Sequence, residues 1–273
     1  SFVRGGEYDG FNVTIPYKMD VIPFMDELTD EAKAVGSVNT IVFRNGRKIG
    51  HNTDVFGLMY MAKRAGIDFS NKKAVVFGNG GASRAVVYAA KKMGAREIVV
   101  ISRTGENNYE NLYLHEDADI LINATPVGMY PNPEGAIVDP ARFQKAVGCM
   151  DLVYNPRLTD FLRLSKQAGK IAVNGLSMLV AQAKVAEEHF FEKSIPDSEN
   201  ERILAMLSAE AANAREQTIW NYDILVHLDL IFAKGELAYK MKGMKPELTG
   251  GSSIVLRRAR HPLLDSARAG PIS

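Results

Sequence analysis

The sequence predicts an α/β protein with a Rossmann-type, doubly wound parallel sheet at its centre. Short apolar strands alternate with helices through the middle of the chain, and the first of these strands leads directly into a glycine-rich turn and a helix. Such alternation is typical of parallel βαβ units. The flanking segments differ in character, which predicts a smaller α/β domain before the sheet and a mainly helical tail after it.

The composition limits the class of protein. The 273 residues are enough for two domains of roughly 100–200 residues each. The 33 Lys and Arg residues nearly balance the 32 Asp and Glu residues, so overall charge does not indicate a nucleic-acid partner. Cys149 is the single cysteine, which favours a reducing cytoplasm, and we predict no metal site. No apolar run approaches the roughly 20 residues that span a bilayer, so we expect no membrane segment.

Residues 1–65 are expected to form the smaller domain. Its predicted elements are a strand at Gly10–Pro16, a helix from about Lys18 to Ala34, strands at Ser37–Phe43 and Lys48–His51, and a helix at Leu58–Ala65. The long helix rests on the helical spacing of Met19, Ile22, Met25 and Leu28. Asn45-Gly46 predicts the turn between the two strands, and Gly66 predicts the end of the last helix.

Residues 66–175 are expected to form the Rossmann-type domain. The predicted strands are Lys73–Phe77, Glu97–Ser102, Ala118–Asn123, Cys149–Tyr154 and Lys170–Asn174, with a helix at Ser83–Met93. A helix at Leu176–Glu192, within residues 176–198, should return to the smaller domain, and Ile195–Ser198 marks a boundary. In residues 199–273 we predict nearly continuous helix over Glu201–Lys242, a loop at Pro246–Ser253 and a short strand at Ile254–Arg258.

The glycine-rich turn is a candidate dinucleotide site. Its residues are Gly78, Asn79, Gly80, Gly81 and Ala82, between a strand and a helix. In that context the first glycine permits the tight turn, the second lets the backbone approach a pyrophosphate, and the first helical amides face the anion. The alternative is a tight βα turn that binds nothing.

The end of the next strand favours NADP over NAD. NAD sites usually place an acidic residue there for the ribose hydroxyls, whereas a 2′-phosphate needs cations or hydroxyl donors. The strand ends at Ser102, Arg103 and Thr104, and no acid occurs before Glu106. Arg103 can stack on adenine and pair with phosphate. The alternative is that Arg103 is a solvated surface residue.

Polar residues of the smaller domain form a candidate substrate site. Asn12 and Thr14 lie on the same side of a strand because side chains alternate, and Lys18 follows; Asn39 and Asp54 come later. A lysine beside an aspartate suits alcohol oxidation, since hydride leaves a carbinol carbon only as the hydroxyl proton is removed. The alternatives are a solvated lysine and an aspartate that merely caps a helix.

At these residues the sequence resembles the shikimate dehydrogenase family. Seven motifs match in order: Gly10–Lys18, Gly36–Thr40, Gly50–Asp54, the loop at Gly78, Asn123–Met129, Asp151–Pro156 and Gly175–Gln182. The resemblance spans roughly Gly10 to Lys193. It implies reversible reduction of 3-dehydroshikimate to shikimate with NADPH, a step of the chorismate pathway of aromatic amino-acid biosynthesis.

The resemblance also implies roles for individual residues. Lys18 and Asp54 correspond to the catalytic pair, with Lys18 the proton shuttle. The candidates for the substrate's hydroxyls and carboxylate are Asn12, Thr14, Asn39, Tyr154 and Gln182. The candidates beside the nicotinamide are Asn123, Thr125, Pro126, Val127, Gly175 and Met178. Some alternatives stay open: Asn123 could close a strand, Met178 could fill the core, and Tyr154 could serve packing alone.

The sequence departs from the family in its amino-terminal part. Family members begin with a strand and helix that carry a Ser-x-Ser-Leu motif for the substrate carboxylate, and nothing like it precedes Gly10. The difference is on the order of one βαβ unit, about 50 residues. We therefore expect an exposed sheet edge, an exposed apolar face and an incomplete carboxylate grip. Asn107 stands where some relatives carry a second cation, which predicts a modest NADP preference.

The carboxy-terminal part departs as well. Residues 201–265 resemble a core and lever fragment of the second branch of the bacterial MutS family, through Asp229–Lys234, Lys245-Pro246 and Arg257–Leu264. No phosphate-binding loop of an ATPase follows. Arg257, Arg258 and Arg260 could touch a phosphate backbone or form a solvated strand end. A fusion, a truncated gene or an assembly artefact would explain the combination.

Three hypotheses follow. The first is an NADP-dependent shikimate dehydrogenase with a small-molecule substrate, monomeric or homodimeric. The second is a quinate/shikimate dehydrogenase that uses NAD. The third is a non-catalytic NADP-binding or DNA-associated fusion remnant, in which nucleic acid would bind through the carboxy-terminal tail.

Overall fold

The computed structural model describes residues 8–14, 16–213 and 215–240. The predicted loop at Pro246–Ser253, the strand at Ile254–Arg258 and the basic cluster lie outside the described residues. The chain divides into two compact units, residues 1–206 and residues 207–273. The predicted α/β class, with a parallel Rossmann-type sheet and carboxy-terminal helices, is confirmed.

Nine strands and seven α-helices are described. The strands are β1 Gly10–Asn12, β2 Glu27–Leu28, β3 Thr40–Arg44, β4 Arg47–His51, β5 Lys73–Phe77, β6 Glu97–Ile101, β7 Ile120–Asn123, β8 Gly148–Asp151 and β9 Ile171–Asn174. The helices are α1 Asp30–Val35, α2 Asp54–Ala65, α3 Gly81–Lys92, α4 Asp160–Gln167, α5 Leu176–Phe191, α6 Asp197–Asn213 and α7 Arg215–Lys240.

The amino-terminal sheet has the strand order β1-β3-β4-β2. β3 and β4 are antiparallel and joined at Asn45-Gly46, where both residues have positive φ, as the Asn-Gly signal predicts. β1 pairs with β3 alone and forms one edge of the described sheet. In the segment that follows β1, Tyr17, Met19 and Phe24 are exposed. Among the described residues, β1 is thus an edge strand and these three apolar side chains are accessible to solvent.

The predicted helix from Lys18 to Ala34 is wrong. A 3₁₀ turn occupies Ile22–Phe24, β2 follows, and α-helix begins only at Asp30, after Thr29 has capped it. The reason is Pro23, because proline lacks the amide that a helix interior requires and its ring clashes with the preceding turn. Ile22, Met25 and Leu28 instead pack against the small core of the amino-terminal sheet, whereas Met19 is exposed.

The central sheet has the order β6-β5-β7-β8-β9, and all its strands are parallel. Successive residues face two separate cores: Val76, Ile122 and Met150 belong to one, whereas Leu121 and Cys149 belong to the other. Burial on both faces explains the continuous apolar runs in the sequence. The carboxyl ends of these parallel strands meet at one edge, where open α/β sheets bind ligands.

Helices α2 and α5 pack closely and connect the two sheets. Gly57 of α2 makes this approach possible, since a Cβ there would lie 2.6 Å from the carbonyl oxygen of Met178 in α5. α2 ends at Gly66 in the left-handed conformation, as predicted. Glu201 of α6 accepts hydrogen bonds from Tyr60 and Arg64 of α2, and Arg64 lowers the pKa of Glu201 to about 2.

The predicted carboxy-terminal helix is confirmed over the described residues. α6 and α7 together extend from Asp197 to Lys240, with residue 214 not described. On α7, the side chains of Trp220, Leu225 and Phe232 are exposed. None of the described helices is long and apolar enough to cross a membrane.

Candidate active site

Lys18 and Asp54 form an ion pair despite their separation in sequence. Lys18 Nζ donates to Asp54 Oδ2 at 2.7 Å, and the two side chains are 26% and 14% exposed. Lys18 lies in the turn after β1, and Asp54 is the first residue of α2. The Asp54 side chain bonds to Lys18 and Asn39 rather than capping its own helix. The pair is thus held in place and remains within reach of a bound molecule.

Asn39 connects this pair to helix α5. Its Nδ2 donates to Asp54 Oδ1 and to Thr53 Oγ1, both at 2.9 Å, and reaches Gln182 Oε1 at 3.5 Å. Its Oδ1 accepts from the Thr53 amide at 2.8 Å, so the orientation of the Asn39 amide is fixed. Thr53 Oγ1 in turn donates to Gln182 Oε1 at 3.2 Å. The site is therefore assembled from the residue before β3, the start of α2 and helix α5.

Thr53 is a member of this cluster that was not singled out from the sequence. Its hydroxyl is buried and joins the amides of Asn39 and Gln182. The signal was available, because Thr53 immediately precedes Asp54 in the Gly50–Asp54 motif. Sequence alone could not show that its side chain faces inward.

The outer substrate candidates differ in how they contact the cluster. Asn12 Oδ1 accepts from Thr40 Oγ1 at 3.1 Å, which ties β1 to the cluster through β3. Thr14 is exposed, and its carbonyl accepts from the amide of Tyr17. Tyr154 is 50% exposed on the loop after β8. These three residues are more accessible than Asn39.

The glycine turn has the geometry that an anion site needs. Gly78 has φ of +105°, and a Cβ there would lie 2.9 Å from Thr125 and 3.1 Å from the Ala124 carbonyl oxygen. A Cβ at Gly80 or Gly81 would meet no protein atom within 4 Å. α3 begins with Gly80 at its N-cap, which offers no side chain to the first-turn amides. Those amides are therefore available to a phosphate.

Arg103, just after the end of β6, is a cation accessible to solvent. Arg103 and Thr104 are exposed, whereas Ser102 is buried and its amide donates to the Asn107 carbonyl oxygen at 3.1 Å. The Asn107 side chain contacts His115 at 3.1 Å. Arg103 can therefore meet a 2′-phosphate, while Asn107 contributes no charge.

The loop after β7 is built on Asn123, which is fully buried. Its Nδ2 donates to the Val127 carbonyl oxygen and to Asp151 Oδ1, and its Oδ1 accepts from the amide and hydroxyl of Thr125. Asn123 can thus serve a cofactor only by holding the loop, whereas Val127 is exposed on it, as is the neighbouring proline. Burial raises the pKa of Asp151 to about 6.

Gly175 and Met178 lie where β9 leads into α5. Gly175 is buried and its amide donates to the Val153 carbonyl oxygen at 3.1 Å. Any Cβ at Gly175 would collide with the Leu152 backbone. Met178 is half-buried and packs against Gly57 and against the core that contains Val76 and Ile122. Both residues are close to the loops that surround the end of the central sheet.

A Rossmann-type sheet with an open phosphate turn, joined to a domain that holds a lysine–aspartate pair, defines the class of nicotinamide-dependent oxidoreductases. Comparison with known proteins narrows the class. Residues 1–41 match the family described as the shikimate dehydrogenase substrate binding domain. The chain is 38% identical over 208 residues to shikimate dehydrogenase (NADP(+)) of Clostridium perfringens, covering 71% of this chain and 76% of that relative. The chain therefore belongs to the shikimate dehydrogenase family.

Solved structures agree with this assignment. A chorismate mutase/shikimate 5-dehydrogenase fusion protein from Clostridium acetobutylicum matches with a TM-score of 0.71 and 36% identity, over 74% of this chain and 78% of that one. Shikimate 5-dehydrogenase from Thermus thermophilus, in complex with NADP(H) and shikimate, matches with a TM-score of 0.66 and 32% identity, over 74% and 79%. These comparisons do not support the MutS resemblance of residues 201–265.

Proposed function

We propose that this chain is an NADP-dependent shikimate dehydrogenase that reversibly reduces 3-dehydroshikimate to shikimate. Membership of the family supports the reaction. The observation that carries the proposal is the 2.7 Å contact between Lys18 Nζ and Asp54 Oδ2, beside the amides of Asn39 and Gln182. It brings an acid–base pair and neutral hydrogen-bonding groups to one place, as the oxidation of one hydroxyl in a polyol requires.

Lys18 is proposed to transfer the proton. In the reducing direction its ammonium group donates a proton to the substrate oxygen as that oxygen becomes a hydroxyl. In the oxidising direction the amine takes the proton from the same hydroxyl. NADP, when bound, supplies the hydride acceptor. Asp54 keeps Lys18 in position and can accept from the reacting hydroxyl or its neighbour.

The surrounding polar groups are proposed to orient the substrate ring. Asn39 and Gln182 offer amides beside the ion pair, and Asn12 and Thr14 offer an amide and a hydroxyl on the more exposed side. Tyr154 would approach from the loop after β8. Hydrogen bonds to several hydroxyls fix which carbon faces the hydride acceptor, and such positioning contributes a large part of catalysis.

The cofactor-side residues fit NADP. The backbone at Gly78–Ala82 would cradle the pyrophosphate, and the open space at Gly80 leaves room for it. Arg103, with Ser102 and Thr104, would take the adenosine 2′-phosphate. The loop of Thr125, Pro126 and Val127, built on Asn123, would flank the nicotinamide together with Gly175 and Met178.

The organisation of the chain follows from these roles. We propose residues 1–65 as the substrate-binding and catalytic domain, 66–175 as the NADP domain, 176–198 as the returning helix and 199–273 as an added helical segment. We keep cytoplasmic location and a monomeric or homodimeric state as proposals. The alternative of a DNA-associated remnant has no observation in its favour among the described residues.

The test is steady-state turnover by the purified chain with four substrate combinations: shikimate or quinate, each with NADP or NAD. We expect the highest kcat/KM with shikimate and NADP. A higher kcat/KM with quinate and NAD would support the second hypothesis instead. A folded chain that binds NADP but turns over none of the four combinations would contradict the proposed reaction.

A further inference from the structure

A carboxylate outside the proposed catalytic set lies at the centre of the nicotinamide end of the sheet. Asp151 is the last residue of β8 and is paired in register with Asn123, the last residue of β7. It is 0% exposed, so it touches no ligand directly. We propose that Asp151 is a positioning residue that holds two loops around the nicotinamide through the Asn123 amide and the Thr159 hydroxyl. This inference rests on the proposed NADP-dependent function.

The first connection fixes the orientation of Asn123. Asp151 Oδ1 accepts from Asn123 Nδ2 at 3.0 Å, and the Val127 carbonyl oxygen accepts from the same nitrogen at 3.2 Å. On the other side of the amide, Thr125 donates to Asn123 Oδ1 from both its amide and its hydroxyl, at 3.0 and 2.6 Å. If the Asn123 amide were flipped, its oxygen would face the Val127 carbonyl oxygen and the Asp151 carboxylate, and neither could donate a hydrogen bond to it. Asp151 therefore helps to select the one amide orientation that closes the 124–127 loop.

The second connection holds the loop between β8 and α4. Asp151 Oδ2 accepts from Thr159 Oγ1 at 2.6 Å, and Asp151 Oδ1 also accepts from the Val153 amide at 3.0 Å. Thr159 is the N-cap of α4, and it packs against the other loop, since a Cβ at Gly128 would lie 3.2 Å from Thr159 Cβ. The loop that carries Tyr154 and the loop of residues 124–128 are thus joined at one carboxyl group.

The chemistry of this carboxyl group is distinctive. The hydrogen-bonding groups that face it are neutral donors: an amide side chain, a backbone amide and a hydroxyl. Removing the carboxyl group would leave buried donors without acceptors, which is costly. An asparagine would restore most of the pattern, because its oxygen can accept from Asn123 and Val153 while its nitrogen donates to Thr159.

The decisive experiment compares four variants with the wild type: Asp151→Ala, Asp151→Asn, Asn123→Ala and the double variant Asp151→Ala/Asn123→Ala. Met150→Ala is the matched control, because Met150 is the preceding residue of the same strand and is also fully buried. Two properties are measured: amide hydrogen exchange of residues 124–128 and 153–158, and the KM values for NADP and shikimate.

We expect Asp151→Ala to raise both the exchange rates of the two loops and the KM for NADP by about tenfold. The KM for shikimate should rise less, since Tyr154 alone of the proposed substrate residues lies on these loops. Asp151→Asn should stay within about threefold of the wild type. The double variant should raise NADP KM no further than either single variant, because both changes break one connection. If Asp151→Ala does not fold, Asn123→Ala tests the same connection from the other side.

Three results would overturn the inference: unchanged loop exchange in the folded Asp151→Ala or Asn123→Ala protein, equal loosening of the loops in Met150→Ala, or additive effects in the double variant. Hydrogen exchange needs no turnover. A wild-type chain without activity would therefore count against the proposed function, while the loop exchange would still decide the role of Asp151.

Discussion

Two carboxylates, Asp54 at the start of α2 and Asp151 at the end of β8, are stabilised in opposite ways. Asp54 faces a cation, the ammonium of Lys18 at 2.7 Å, and keeps 14% of its side chain exposed. Asp151 is fully buried and accepts from neutral donors only. The burial raises the pKa of Asp151 to about 6, despite three hydrogen bonds that lower it.

This difference matches the two roles proposed for these carboxylates: Asp54 belongs to the proton-transfer site, and Asp151 fixes the geometry of two loops. A group that exchanges a proton with a substrate must be reachable, and a nearby partner of opposite charge keeps it in position. A group that fixes loop geometry is best enclosed, where hydrogen bonds are stronger and have no competition from water. The following predictions test this contrast, beginning with the largest expected effect.

Replacing Lys18 by alanine should remove the proton shuttle. We expect kcat to fall by about 10²–10⁴-fold while the protein stays folded, since general acid–base catalysis contributes on that scale. Steady-state turnover of shikimate with NADP measures it. Lys33→Ala is the control, because that side chain is 61% exposed and forms only a loose contact with Asp30. Retention of more than a tenth of kcat in Lys18→Ala would contradict the assigned role.

Replacing Asp54 by asparagine should leave the shape of the site but remove its negative charge. We expect kcat to fall by about 10²-fold, because Lys18 loses its counter-charge and its fixed position. The comparison variant is Asp30→Asn, whose carboxylate is 92% exposed. Equal activities of the two variants would show that Asp54 is dispensable.

Asp151 should give the protein an unusual dependence of stability on pH. Because its pKa in the folded chain, about 6, exceeds its ordinary value of 3.8, the native state binds more protons than the unfolded state between these values. Its contribution to the free energy of unfolding is therefore largest below pH 4 and falls, by about 3 kcal/mol, as pH rises through 6. Urea unfolding of the wild type and of Asp151→Asn measures the difference.

The free energy of unfolding of the wild type should thus fall, relative to that of Asp151→Asn, from pH 4 to pH 7. An increase over the same range would mean that hydrogen bonds outweigh burial and that the contrast with Asp54 is not one of desolvation. Most hydrogen-bonded carboxylates behave in that opposite way: folding lowers their pKa, so their contribution to stability grows as pH rises.

Replacing Arg103, at the adenosine end of the proposed cofactor site, should give the smallest effect of these substitutions. Arg103→Ala should raise the KM for NADP by about tenfold and leave the KM for NAD nearly unchanged, since a charge-assisted contact to the 2′-phosphate would be lost. Arg96→Ala, at the opposite end of the same strand, serves as the control. A parallel rise in both KM values would indicate that Arg103 supports the adenine rather than the phosphate.

The central sheet could be predicted from sequence because strands buried on both faces produce unmistakable apolar runs. The same holds for Gly66, whose left-handed conformation at the end of α2 follows from glycine's lack of a Cβ. The region from Lys18 to Leu28 was mispredicted because apolar periodicity was given more weight than Pro23. β2 is only two residues long and exists through its pairing with β4, so it left no local signal.

The sequence allowed most residues of the candidate site to be predicted, but it did not show the hydrogen bonds that join them. Lys18 and Asp54 were paired through a family resemblance and chemistry, and the structure brings them into contact. The role of Asp151 depends on the register of β7 and β8, which places it opposite Asn123 and which the sequence does not give. Thr53 likewise gains its importance only when α5 brings Gln182 within 3.2 Å.

The most direct test of the central claim is shikimate-dependent NADPH formation by the purified full chain, measured beside the Lys18→Ala variant in the same assay. The account predicts steady NADPH production by the wild type and at most about one hundredth of that rate in the variant. Equal rates in both proteins, or a folded wild-type chain that forms no NADPH, would contradict it.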